Sequence, residues 1–91
     1  MTREQAAILI NQISINTKIA LGFRNPSYGK ESLTFKCNKS HYVTIDLNGN
    51  DLYDIRFFRI KRGSIEQIII NQKSDIFVEN LNQTLYDMTQ K

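Results

Sequence analysis

The feature that most constrains the fold is a strict alternation of apolar and polar side chains in two neighbouring segments, residues 33–37 and 42–47. Successive side chains of a β-strand point to opposite faces, so the alternation predicts two strands that each bury one face. The short connection between them predicts an antiparallel hairpin. The predicted core-facing residues are Leu33, Phe35, Cys37, Val43, Ile45 and Leu47, and the predicted outward-facing residues are Thr34, Lys36, Thr44 and Asp46.

Turn signals extend this hairpin into a meander. Asn48-Gly49 is a dipeptide that a type I′ turn favours, and residues 61–64 carry a further turn signal. These turns bound a third strand in residues 51–62 and a fourth in residues 65–70. The alternation in the third strand slips by one residue at Phe57-Phe58. The slip predicts either a β-bulge or apolar cover on both faces of that strand.

A helix is predicted before the meander. Thr2 and Gln5 have the spacing of a capping box, and apolar residues recur at helical spacing from Ala6 to Ile13. We expect this helix to end near Ile15, because β-branched residues and asparagine lower helix propensity there, or to continue through residues 19–21 after a kink. Residues 22–31 follow as a predicted loop, since they hold the only proline and two of the four glycines.

A second helix is predicted after the meander. Ser74 or Asp75 is the predicted N-cap, because both side chains accept hydrogen bonds from the first turn of a helix. The predicted buried stripe is Phe77, Leu81, Leu85 and Met88. The expected fold is therefore α+β, with an N-terminal helix, a four-stranded antiparallel β-meander and a C-terminal helix (αββββα). A chain of 91 residues buries enough surface for one core, so residues 1–91 are expected to form a single domain.

Composition indicates a cytoplasmic protein. No segment approaches the roughly 18 consecutive apolar residues of a membrane span, and the first residues lack the pattern of a signal peptide. Cys37 is the only cysteine, so no internal disulfide can form. We expect no membrane association and a location in the cytoplasm of a host cell.

No catalytic constellation is found in the sequence. Cys37 and His41 lie close enough across the predicted hairpin for a thiolate–imidazole pair, but no third group that would orient the histidine can be named. Residues 46–51 resemble a calcium loop only superficially, because glycine stands at the fourth position and Phe57 where the bidentate glutamate belongs. We therefore predict no enzymatic activity, no cofactor and no metal ion.

Binding residues are predicted in two places. In the predicted loop, Phe23, Arg24, Tyr28 and Lys30 bring aromatic rings beside cations, which suits either base stacking or a protein hot spot. The predicted third strand and its following turn add a basic cluster of Arg56, Arg59, Lys61 and Arg62. From Lys18 to Arg62 the chain has nine basic and four acidic residues, an excess that favours a polyanion or an acidic surface as partner.

Four short segments resemble a family of small phage and prophage proteins of uncharacterised function. They are residues 16–22, the Leu-x-Phe-Lys of residues 33–36, the Asp-x-Tyr-Asp of residues 51–54, and residues 75–81, which open with an aspartate. The chain departs from the family pattern at Ala20-Leu21-Gly22, where relatives carry a threonine. The resemblance implies a mobile-element setting, with no catalytic activity and no cofactor.

Two hypotheses follow for function. The first is a phage or mobile-element accessory protein that binds and modulates a host protein or ribonucleoprotein, by analogy with anti-CRISPR inhibitors. The second is direct binding of DNA or RNA by the same loop and basic strand. A homodimer is a further alternative for the oligomeric state, because the run Ile68-Ile69-Ile70 would favour self-association at a sheet edge.

Overall fold

The computed structural model describes residues 2–89 and has an α+β fold with three helices and a five-stranded antiparallel sheet. The strands lie side by side in chain order, so every neighbouring pair is a hairpin. The helices are α1 (Arg3–Gln12), α2 (Ile15–Leu21) and α3 (Leu81–Thr89), and the strands are β1 (Arg24–Tyr28), β2 (Ser32–Lys36), β3 (His41–Leu47), β4 (Tyr53–Ile60) and β5 (Gln67–Ile76). The α+β class is confirmed, whereas the predicted four-strand, two-helix order is wrong.

The N-terminal helical region consists of two helices rather than one. The predicted capping box of Thr2 and Gln5 starts α1, with both reciprocal hydrogen bonds present. The helix ends at Gln12, and the Ser14 hydroxyl then accepts from the backbone N–H of Thr17 as the N-cap of α2. The break therefore falls where serine offers a new cap, close to the predicted kink.

Residues 22–31 are not a loop, because Arg24–Tyr28 forms β1. This strand pairs with β2 and contains a register shift between Arg24 and Ser27, with Asn25 at φ 52°. Proline cannot donate a ladder hydrogen bond, and it is tolerated here because β1 is an edge strand. The turn-forming residues, from which a loop was predicted, instead lie in an irregular edge strand of the sheet.

All three helices pack on one face of the sheet. The core joins helix residues such as Leu9, Leu21 and Leu85 to the inward side chains of the central strands. Five of the six predicted core-facing hairpin residues are buried, namely Leu33, Phe35, Cys37, Val43 and Ile45, whereas Leu47 is only half-buried. We call the opposite side of the sheet the open face.

The phase slip of β4 corresponds to apolar residues on both faces of the strand rather than to a bulge within it. Its pairing with β3 is regular, so Phe57 points to the helices and Phe58 to the open face, and both are buried. The bulge lies on the neighbouring strand, where Ile70 is the extra residue opposite the step from Phe57 to Phe58. The third strand of the prediction thus carries apolar residues on both of its faces.

The turn between β3 and β4 differs from the predicted two-residue type I′ turn. Five residues, 48–52, make the connection, and the positive φ is found at Asp51 rather than at Gly49. The Asn48 side-chain oxygen accepts from the backbone N–H groups of Asn50 and Leu52. This asparagine therefore organises a longer turn through its side chain.

The C-terminal helix starts later than predicted. Ser74 and Asp75 belong to β5 rather than to a helix cap, and a 3-10 turn at Val78–Asn80 precedes α3. Leu81, Leu85 and Met88 are buried as predicted, but Phe77 is 52% exposed because it precedes the helix. No helix among residues 2–89 is long and apolar enough to cross a membrane.

Candidate functional site

The open face carries a row of five side chains that runs across all five strands. Each member of the row lies directly opposite the next in the strand register, so their side chains share one face. The row, in strand order, is Arg24, Lys36, Tyr42, Phe58 and Ile69. With strands about 4.8 Å apart, it spans about 19 Å from cations at one edge to an isoleucine at the other.

The centre of the row is an aromatic pair. The rings of Tyr42 and Phe58 are stacked, with centroids 5.6 Å apart and planes inclined by 17°. The Nζ atom of Lys36 lies 6.0 Å from the Tyr42 ring centroid. Phe58 is only 3% exposed, whereas Ile60 and Ile69 beside it are 37% and 43% exposed. The open face therefore has an apolar centre that is partly accessible to solvent.

Uncharged polar residues and charged residues of both signs surround this centre. The hydroxyls of Thr34 and Thr44 are hydrogen-bonded at 2.9 Å in the adjacent row. In the same row, the Arg56 guanidinium lies 3.7 Å from an Asp46 carboxylate oxygen, and both side chains are partly exposed. The rim of the open face is thus basic towards Arg24 and acidic towards Asp46.

The acidic end of the face holds two directly opposed carboxylates, Asp46 and Asp54. Partial burial raises the pKa of Asp46, the Arg56 charge lowers it, and the nearby Asp54 and Glu31 charges raise it again. Asp54 accepts hydrogen bonds from the Asn48 side chain and the Asp75 backbone N–H. Asp54 is therefore held by hydrogen bonds, whereas Arg56 pairs with Asp46.

The structure separates the binding residues predicted from the sequence. Arg24 and Arg56 lie on the open face, and Tyr28 and Lys30 lie at the opposite end of β1 from Arg24. Phe23 is packed against the core, with its ring centroid 4.5 Å from that of Phe35. Arg59 faces the helix side of the sheet, whereas Lys61 and Arg62 lie in the β4–β5 turn.

Tyr42 and Phe58 were not among the predicted binding residues. A signal for Phe58 was present in the sequence, because apolar cover on both faces of its strand was one of the two predicted explanations of the phase slip. The neighbour relation between Tyr42 and Phe58 depends on strand register, which the alternation alone does not give.

A cavity of about 250 Å³ lies at the end of the sheet where β2 and β4 finish and β3 and β5 begin. Its apolar walls come from both the helices and the sheet, and basic side chains stand among its lining. The lining residues are Leu21, Cys37, Asn38, Lys39, His41, Phe57, Ile70 and Thr89. The sequence carries no signal for this cavity, because its lining residues come from segments far apart in the chain.

Cys37 and His41 are both at this cavity, but they do not form an activated pair. Burial raises the pKa of the Cys37 thiol to about 12, against a smaller lowering by Arg24. The thiol is therefore protonated near neutral pH, whereas nucleophilic catalysis requires the thiolate. His41 instead packs edge-on against the Phe57 ring, with centroids 5.1 Å apart.

Metal-binding groups are not assembled in the described part of the chain. Among residues 2–89, no three histidine, cysteine, aspartate or glutamate side chains come together in an arrangement that could hold a metal ion. The chain was also compared with known proteins. No family model, no curated protein and no solved structure matches it.

Proposed function

We propose that the chain is a non-enzymatic accessory protein of a phage or mobile element that binds and modulates a host protein or ribonucleoprotein through the open face of its sheet. The observation that carries the proposal is the apolar centre of the open face, where the stacked pair of Tyr42 and buried Phe58 is flanked by exposed Ile60 and Ile69. Protein interfaces combine an apolar centre, often with aromatic anchors, with a polar rim. The open face has this arrangement.

The charge pattern of the open face favours a protein as its partner. The rim carries cations near Arg24 and Lys36 and carboxylates at Asp46 and Asp54, so a uniformly anionic ligand would be attracted at one end and repelled at the other. Phe58 is almost completely buried, which leaves Tyr42 as the accessible ring of the stacked pair for a nucleobase. A protein surface with charges of both signs fits the face better than a nucleic acid does.

The biological setting of the proposal comes from the resemblance to phage and prophage proteins. Small proteins of mobile elements commonly act by occupying a surface of a host enzyme or defence complex, as anti-CRISPR inhibitors do. Such an inhibitor works in the cytoplasm of the host cell and needs no chemistry of its own. The proposed role therefore requires only a stable binding surface.

The experiment that tests this function is affinity capture from host lysate, with and without nuclease, followed by measurement of the affinity for the recovered partner. Ile69→Asp places a charge at the edge of the apolar centre and should weaken binding at least tenfold, since a buried unpaired carboxylate is costly. Ile65→Asp is the matched control, because Ile65 is 95% exposed in the β4–β5 turn. It should leave the affinity within about twofold.

Two results would count against the proposed function. One is the recovery of no specific partner under either condition. The other is a recovered partner whose affinity is the same for wild type, Ile69→Asp and Ile65→Asp, because the open face would then not be the surface that binds it.

A further inference from the structure

The end of the molecule that contains the 250 Å³ cavity is strongly basic. The strand register gathers cations there from α2, β1, β2, the β2–β3 turn, β4 and the β4–β5 turn. These residues are Lys18, Arg24, Lys36, Lys39, Arg59, Lys61 and Arg62. Among the described residues, Glu66 also lies at this end and pairs with Lys61 at 3.8 Å. We call this region the basic end.

Several of these cations surround the mouth of the cavity. Lys39 and His41 line it directly, and Arg59 lies opposite His41 in the strand register, at a Cβ separation of roughly 5 Å. The Arg24 guanidinium donates to the carbonyl oxygen of Cys37, another lining residue, at 3.4 Å. Among residues 2–89, neither Lys39 nor Arg59 makes an ion pair. Their charges therefore remain available to an anionic ligand.

The backbone at the cavity mouth is held in an uncommon conformation. Lys39 and Ser40 are consecutive non-glycine residues in the left-handed region, at φ 60° and 59°. The turn is fixed by Asn38, whose side chain packs against Gly22 and donates to the carbonyl oxygen of Ala20 at 3.4 Å. Strained backbone of this kind is concentrated at functional sites. Lys39 of this turn lines the cavity.

The size and walls of the cavity suit a single planar ring. Its volume is below the roughly 300–1,000 Å³ of pockets that enclose complete drug-sized ligands. Leu21, Phe57 and Ile70 offer apolar contact to the faces of a ring, and Asn38 and His41 are polar residues of the same lining. A nucleobase combines a flat apolar face with polar edges, and it is joined to phosphates that the surrounding cations can neutralise.

We propose that the basic end binds single-stranded nucleic acid, with one unstacked base in the cavity and neighbouring phosphates on Lys39, Arg59 and Arg24. A single strand is required because a paired and stacked base cannot enter a cavity without first leaving its duplex. The site shares Arg24 and Lys36 with the basic rim of the open face, whereas its cavity, Lys39 and Arg59 lie apart from the apolar centre. Substitutions at Lys39 and Arg59 therefore test it separately from the proposed protein partner.

Fluorescence anisotropy with labelled single-stranded DNA and RNA oligonucleotides tests the proposal. Each neutralised phosphate contributes a slope of about −0.7 to the logarithm of affinity against the logarithm of salt, so three contacts weaken binding about 20-fold when salt rises fourfold. No anisotropy change at low salt with protein at about 100 µM, the weak end of ordinary non-specific binding, would overturn the proposal.

Charge-reversal variants distinguish binding at this site from attraction by the net charge of the protein. Lys39→Glu and Arg59→Glu should each weaken binding about tenfold and lower the salt slope, since each removes a phosphate contact. Lys73→Glu makes the same change of charge on exposed β5 outside the basic end and should have an effect below about threefold. Equal losses in all three variants would show attraction by net charge alone and would contradict the site.

The cavity itself is tested with an oligonucleotide that contains 2-aminopurine, whose fluorescence rises when the base leaves its stack. We expect a rise on binding to wild type and none on binding to Ile70→Trp, in which a larger ring fills the cavity. Ile70 is 46% exposed, so circular dichroism should show that this variant keeps its fold. Unchanged fluorescence of wild type at saturation would exclude base insertion.

Discussion

The side chain of Cys37 lies among core residues with 2% exposure, and burial raises the pKa of its thiol to about 12. A group with this pKa stays protonated throughout the ordinary pH range, so alkylating reagents that need a thiolate should not modify it. We expect reaction with iodoacetamide at mildly alkaline pH to be at least 100-fold slower in native protein than in urea.

The alkylation rate of Cys37 in the native protein therefore reports the environment of the thiol rather than the presence of a cysteine. Urea-unfolded protein is the control, because the same residue is then exposed in the same chain. Rapid modification of the native protein would contradict a buried, protonated thiol and would reopen a catalytic role for Cys37 and His41.

Asp46 is a second residue whose environment determines its behaviour. Its folded-state pKa is raised above 3.8, so the folded protein holds the Asp46 proton more tightly than the unfolded chain does. The stability that this group contributes is therefore present below pH 3.8 and is lost as the pH rises through the folded pKa. Asp46→Asn should stabilise the protein at neutral pH by about 0.5 kcal/mol, because it removes a partly buried charge and its repulsion from the opposing Asp54.

Urea unfolding of Asp46→Asn at neutral pH and below pH 3.8 checks this expectation, since the gain should shrink as Asp46 itself becomes protonated. Glu66→Gln, at the exposed pair with Lys61, is the control and should change little at either pH. A loss of stability in Asp46→Asn at neutral pH would mean that the ion pair with Arg56 outweighs burial and repulsion.

At the scale of elements, one side chain connects the N-terminal pair of helices to the C-terminal helix. Asn82, in the first turn of α3, accepts from the Ser14 backbone N–H at 2.8 Å and donates to the Gln12 carbonyl oxygen at 3.0 Å. Both groups belong to the break between α1 and α2, where helical partners are missing. Asn82→Ala should reduce the free energy of unfolding by about 2 kcal/mol.

Gln83→Ala provides the comparison for Asn82→Ala, because the exposed Gln83 side chain donates to Asp87 within the same helix. Its effect on urea unfolding should stay within about 0.5 kcal/mol. Equal effects of the two substitutions would show that the Asn82 bridge contributes no more than an ordinary surface hydrogen bond.

Elements with one buried face could be predicted, and polar edge elements could not. The hairpin of β2 and β3 follows from alternation, and the start of α1 follows from its capping box. β1 and the second half of β5 carry turn-forming or polar residues and bury little, so they have no periodic signal. Their strand conformation depends on pairing with a neighbour, which is a tertiary effect.

At the scale of the whole molecule, both candidate binding surfaces depend on strand register. The sequence indicated an excess of cations and named Arg24 and Arg59, but register places one on the open face and the other beside the cavity. It also brings Tyr42 to Phe58, although 16 positions separate them in the chain. A local pattern identifies which residues are strands, whereas partners across the sheet are set by the packing of the complete chain.

The two surfaces should respond separately to substitution. Ile69→Asp alters the open face and leaves the cations at the cavity mouth in place, so it should weaken a protein partner at least tenfold and oligonucleotides by less than about threefold. Lys39→Glu should show the reverse pattern. Parallel affinity measurements with both ligands check this expectation, and a ribonucleoprotein target should be weakened by both changes, with free-energy losses that add. If either substitution weakened both isolated ligands equally, the open face and the basic end would be one site.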